Sequence, residues 1–206
     1  MSTSKNPDKF NFVLRINNLV GRSSRIEQVY LVIDRIVSNI KSFYPGSLCL
    51  SCPLTCCIND LFLPVSYLEW KAIETYLEKS DPAIIDQLKE NIATIDADLF
   101  KDIKTAEPDR EKYKNSSCPL LINNRCSIGP YRPVSCRTYG LFFKNDNPES
   151  NEITGCEAES VRFSASIKPG ELLLVSLKNA RERMAHLNAG RPDKLLIVWL
   201  RDYLSN

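Results

Sequence analysis

Eight cysteines fall into two groups, Cys49, Cys52 and the adjacent pair Cys56-Cys57, then Cys118, Cys126, Cys136 and Cys156, and any fold must place them. A two-residue gap lets two sulfurs turn back toward one ion about 2.3 Å from each, and a distant second pair can close the shell. The spacing therefore predicts loops and turns gathered around a thiolate-bound metal. Neighbouring side chains usually project in different directions, so Cys56 and Cys57 serve different surroundings. One binds the metal while the other packs into the core, or each faces a separate site.

Disulfides are not needed to explain this array. Eight cysteines in 206 residues is well below the ~8–10% of small disulfide-built secreted chains, and a chain of this length can bury an adequate apolar core. The opening MSTSKNPDKFNFVLRINN lacks the charged start and uninterrupted apolar stretch of a secretory signal. The longest apolar runs, Leu172 to Val175 and Leu195 to Leu200, fall far short of the roughly 18 residues of a membrane span. A cytoplasmic protein without a membrane partner is expected, and in that reducing compartment clustered thiols read as a metal or redox site. Lys and Arg total 27 against 25 Asp and Glu, a balance of +2 with no long basic block, so no nucleic-acid partner is expected. Arg110, Lys112 and Lys114 alternate with acids and read as a solvated loop.

Helical periodicity dominates the rest. Ile26, Val29, Tyr30, Ile33, Ile36 and Ile40 recur at three- and four-residue steps and predict a helix from Ser24 to about Tyr44, stopped by Pro45-Gly46. Ser66 and Glu69 have capping-box spacing, which starts a helix running to about Glu78. Asp81-Pro82 predicts another, through Ile85, Leu88, Ile92 and Ile95 toward Phe100. Cys118 to Ile122 and Arg125 to Ile128 flank Asn123-Asn124 and read as a short hairpin that brings Cys118 and Cys126 near each other. A helix is expected from Pro169 to about Leu187, stopped by Gly190, and a last one from Pro192 through Leu195, Leu196, Trp199 and Leu200. The fold class expected is mainly α with a small β-hairpin, an irregular cysteine-rich metal-binding core flanked by helices.

The segment CSIGPYRPVSCRTYG is more distinctive than the cysteine spacing. With Cys49, Cys52, Cys56 and Cys57 as one motif, and Cys118, Pro119, Leu121, Cys126, Ile128, Arg132, Pro133, Cys136 and Arg137 as another, the chain resembles the bacterial cysteine-cluster proteins of the zinc- or iron-chelating domain family. Those carry C-x2-C-x2,3-C-C followed by C-P-x-L…C-x-I-Y-x-x-R-P-x-x-C-R. The match covers about residues 47 to 160. Gly129 stands where the family commonly has tyrosine, and Thr55 where it has glycine. The resemblance implies a cysteine-cluster chelating domain at 47–160, and the helical patterns outside it give an N-terminal helical extension (1–46) and C-terminal helices packed on the same domain (161–206). The resemblance extends distantly to the flagellin lysine N-methylases, which implies an S-adenosylmethionine-dependent protein lysine methyltransferase as an alternative function, although no cofactor-binding segment is identifiable. A structural zinc module for protein–protein contacts is a third reading.

Four thiolates suit zinc and iron–sulfur alike. An iron–sulfur cluster is preferred to zinc because histidine is almost absent and cations lie near the thiolates. Cys52, Cys56, Cys126 and Cys136 are the first choice of ligands, with Cys49, Cys57, Cys118 and Cys156 as further ligands or a second site. Arg132 and Arg137 offer positive charge and N–H donors to a thiolate shell, or else pair with a carboxylate or cap a loop. Pro133 fixes the approach to Cys136. Tyr131 and Tyr139 read as packing residues. His186, the single histidine, reads as a surface or satisfied helix residue, and the seven scattered glycines form neither a dinucleotide loop nor a P-loop. Glu157 and Glu159 read as solvated.

Overall fold

The computed structural model describes residues 19–43, 57, 61–95, 97–105, 111–113, 116–138, 143–144, 153–154, 175–176 and 178–205. The fold is mainly helical with small sheets, as the periodicity predicts. The chain divides into two compact units, Met1–Cys52 with Val134–Ala189, and Pro53–Pro133 with Gly190–Asn206.

In the first unit, helix α1 (Ile26–Phe43) buries Ile26, Val29, Tyr30, Ile33 and Ile36 along the stripe that the 3.6-residue period marks out. Against it pack α5 (Val134–Thr138) and α6 (Lys178–Leu187). Arg183 of α6 donates its Nε–H to the Ser23 carbonyl. A three-stranded sheet pairs β4 (Phe143–Lys144) antiparallel with β5 (Ile153–Thr154) and parallel with β6 (Val175–Ser176). Of the helix expected from Pro169 to about Leu187, Lys178–Leu187 is helical and Val175-Ser176 is instead a strand, while residues 169–174 lie outside the described residues. Its stop at Gly190 holds, with φ +75 in the left-handed region that glycine adopts without a Cβ penalty. His186 is exposed on α6.

The second unit is built on a strand pair that the local pattern does not announce. β1 (Pro64–Ser66) pairs antiparallel with β7 (Asp193–Leu195). The last helix, α7 (Leu196–Leu204), therefore starts at Leu196 rather than Pro192, its first N–H donated to the Leu63 carbonyl at 2.9 Å. Helix α2 (Tyr67–Leu77) has the full capping box: Ser66 accepts from the Glu69 N–H, and the Glu69 carboxylate accepts from the Ser66 N–H at 3.1 Å.

Helix α3 (Pro82–Ala93) is capped by Asp81, which accepts from the Ala83 N–H at 2.9 Å. It does not run on to Phe100. Thr94 turns its hydroxyl onto the Asn91 carbonyl at 2.7 Å, the backbone bonding by which threonine competes with helix continuation. A separate helix, α4 (Ala97–Thr105), follows.

Trp70, Ile73, Leu77, Leu88, Leu120, Ile128, Trp199 and Leu200 form the core of this unit. Trp70 and Trp199 stack at 5.8 Å with planes 3° apart, and the Trp199 indole N–H is donated to the Val65 carbonyl at 3.0 Å. A neighbouring cluster of Leu61, Phe62, Leu99, Tyr113 and Ile197 packs Phe62 edge-on to Tyr113 at 6.1 Å. Among the described residues no helix is long and apolar enough to cross a membrane.

Candidate metal centre

The predicted hairpin is present. β2 (Leu121–Ile122) and β3 (Arg125–Cys126) pair with Leu121 opposite Cys126 and Ile122 opposite Arg125. Asn123 and Asn124 take φ 50 and 58, the two left-handed positions of a type I′ turn, which asparagine tolerates because its short side chain bonds locally. The hairpin is fastened at its base by Ser127 N–H to Leu120 carbonyl (2.8 Å) and Leu121 N–H to Cys118 carbonyl (2.9 Å). From α3, Asn91 Nδ2 donates to the Pro119 carbonyl at 2.8 Å. Cys118 and Cys126 both pack against the Trp70–Leu120 core, so the hairpin places them in one neighbourhood of the unit.

The two cysteine groups meet at the backbone: Cys118 donates its N–H to the Cys57 carbonyl at 2.5 Å. Cys57, Cys118, Cys126 and Cys136 are all half-buried, which suits a ligand that must reach an ion yet exclude bulk water. Beside Cys118 lies a cavity of about 460 Å³ whose polar wall includes Asn91, Thr94, Lys112, Ser116 and Ser117. Lys112 also lies 3.9 Å from Asp102 and 4.9 Å over the Tyr113 ring.

Of the eight predicted ligands, Cys49, Cys52, Cys56 and Cys156 lie outside the described residues, as do Tyr139, Glu157 and Glu159. Among the described residues no three Cys, His, Asp or Glu side chains gather closely enough to hold a metal ion. The donors still fit a thiolate-bound group in kind. They are soft and half-buried, and in the same hairpin the Ser127 hydroxyl is buried with no hydrogen-bond partner among the described residues.

The two arginines both have protein partners. Arg132 Nε donates to the Gly129 carbonyl at 3.2 Å, closing the 3-10 turn Gly129–Tyr131 that leads to Pro133 and α5. Tyr131 in that turn stacks on Tyr76 at 4.9 Å, a packing role. Arg137 is buried in the first unit, where its Nη1 lies 2.6 and 2.7 Å from the two Asp34 oxygens and its guanidinium sits 4.0 Å over the Tyr30 ring. Adjacency to Cys136 suggests a cation for the thiolates; the structure commits much of that cation to α1.

Asp34 and Asn91 are positions that the sequence does not single out, and Tyr30 is marked there only as part of the apolar face of α1. Asp34 is one of two exposed acids on α1, with Glu27, and nothing local marks it as the partner of a residue so distant in the chain. No family model, no curated protein and no solved structure matches this chain.

Proposed function

We propose that this protein binds a metal centre through cysteine thiolates, an iron–sulfur cluster in preference to zinc. One observation carries the reading: the 2.5 Å hydrogen bond from Cys118 to Cys57 supports a backbone tie between the end of the first cysteine group and the start of the second. Cys126 belongs to the same unit, held there by the hairpin. The one histidine, exposed on α6, leaves sulfur as the soft donor. When bound, a cluster supplies one-electron chemistry with a potential set by its surroundings.

Anaerobic purification tests the reading. An absorbance band at roughly 400 nm with bound iron and sulfide is expected, and Cys118→Ser or Cys126→Ser should abolish it. Colourless protein with stoichiometric zinc would overturn the preference for iron, and folded protein carrying no metal after anaerobic isolation would overturn the whole reading.

The packing of Cys118 and Cys126 against the core favours a structural consequence as well. Ligands that are also core residues couple metal loss to unfolding. Chelator-treated wild type and Cys118→Ser should then lose helical circular dichroism to the same extent, whereas a purely redox centre leaves both folded.

A further inference from the structure

A second site stands apart from the cysteines. We propose that the cavity where α2 and α7 meet binds an alkylammonium group, and that Lys194 occupies this position from within the chain.

The cavity holds about 560 Å³ and its wall includes Trp70, Trp199, Tyr203, Glu74 and Asp202. That volume is in the usual range for a small-ligand pocket, and an aromatic body with a few convergent polar groups is the usual lining. The specific pointer is Lys194. Its ammonium lies 4.4 Å from the Trp199 ring centroid and 2.9 Å from Asp202 Oδ2, a cation over an aromatic face with a carboxylate beside it. This is the geometry by which aromatic sites recognise ammonium ligands.

The internal occupant is weakly held. The Lys194 and Asp202 side chains remain 39% and 41% exposed, and ion pairs at that exposure contribute little net stability. Asp202 stays oriented when Lys194 leaves, since Arg201 Nη2 reaches its other oxygen at 3.2 Å. Burial pushes the Asp202 carboxyl up, and hydrogen bonds and charge from Lys194 and Arg201 outweigh it, so the group sits below the ordinary carboxylate range and remains an anion. Tyr203, raised by burial and by the Glu78 charge, remains neutral and offers its ring to a hydrocarbon stem. Glu74 is bonded to Lys71, and Lys89, also on the wall, lies 3.8 Å from Asp86. Asp202 and the Trp199 face are therefore the recognition elements.

The chain has two tryptophans, and both line this cavity, so intrinsic fluorescence reports on it directly. The full-length protein would be titrated with n-butylammonium chloride at constant ionic strength, with n-butanol as the neutral control. A saturable change is expected for the amine and not for the alcohol. Lys194→Ala, by removing the competitor, should tighten binding by about threefold, and Asp202→Asn should weaken it by about threefold. The Trp199 indole N–H resonance provides a second readout on folded protein, with Lys194→Ser as the replacement variant if Lys194→Ala fails to fold. Equal responses to amine and alcohol, or unchanged affinity in either variant, would overturn the proposal. The titration is run on protein shown to be folded by helical circular dichroism, so its failure is distinguishable from failure of the metal reading.

Discussion

At the hairpin tip two asparagines sit at positive φ, 50 for Asn123 and 58 for Asn124. A type I′ turn asks this of both central residues, and glycine meets the demand at the second position at least cost. Asn124→Gly is expected to raise unfolding stability by roughly 0.5 kcal/mol, and Asn124→Val to lower it by more than about 1 kcal/mol, since a β-branched residue at positive φ is strained. Urea unfolding monitored by tryptophan emission checks both. At this scale the sequence was informative wherever chemistry is local: the Asn-Asn turn, the Ser66 cap and the Gly190 stop depend on neighbours a few residues away. The partner of Arg137 was not legible, because the Asp34 carboxylate and the Tyr30 ring that receive it lie on a distant helix. Gly129, where the resembled family has tyrosine, is not a conformational requirement here. Its φ is not left-handed, and a Cβ there meets nothing within 4 Å.

The elements divide in the same way. α1, α2 and α3 follow from apolar period and capping, since one helix face buried against a neighbour writes itself into the sequence at every third or fourth position. The strands β6 and β7 do not. Two or three residues have too few side chains to display alternation, and their pairing partners, Phe143-Lys144 and Pro64–Ser66, are remote. A proline before an apolar run then reads as a helix start, although the next residues complete a ladder first. The capping box at α2 joins both kinds of information, since Ser66 is at once the last residue of β1 and the cap of α2. Ser66→Ala removes the acceptor for the Glu69 N–H and a hydroxyl that donates to the Glu69 carboxylate at 2.8 Å. A loss of about 1–2 kcal/mol is expected, measured by thermal or urea unfolding. Glu69→Gln, which keeps an acceptor for the Ser66 N–H, should cost less. A larger loss in Glu69→Gln than in Ser66→Ala would place the stabilisation in the charge of Glu69 rather than in the cap.

Over the whole molecule, the chain passes between its two units at Cys52/Pro53, Pro133/Val134 and Ala189/Gly190. Each passage carries a residue that limits regular structure, either a proline with fixed φ or a glycine in the left-handed region. The cysteines divide between the units, Cys49, Cys52, Cys136 and Cys156 in one and Cys56, Cys57, Cys118 and Cys126 in the other, which is why the candidate site was only partly legible. Spacing identified the thiols and the hairpin, but convergence is decided by which segments share a unit, and sequence order does not encode that. The consequence for folding is specific. Residues 53–133 alone lack β7, the sole ladder partner of β1 among the described residues, and Trp199, which covers Trp70. That fragment is expected to be unfolded, with Trp70 emission at the wavelength of a solvated indole. A peptide of residues 190–206 added in trans should restore helical circular dichroism; if its Trp199 is replaced by phenylalanine, the accompanying blue shift reports Trp70 alone. The association should saturate, because strand pairing and burial of Leu196, Ile197 and Leu200 together offset the cost of bringing two chains together. A fragment 53–133 that folds unaided, with Trp70 protected from acrylamide quenching, would mean that the C-terminal strand and helix are accessories to this core and not part of it.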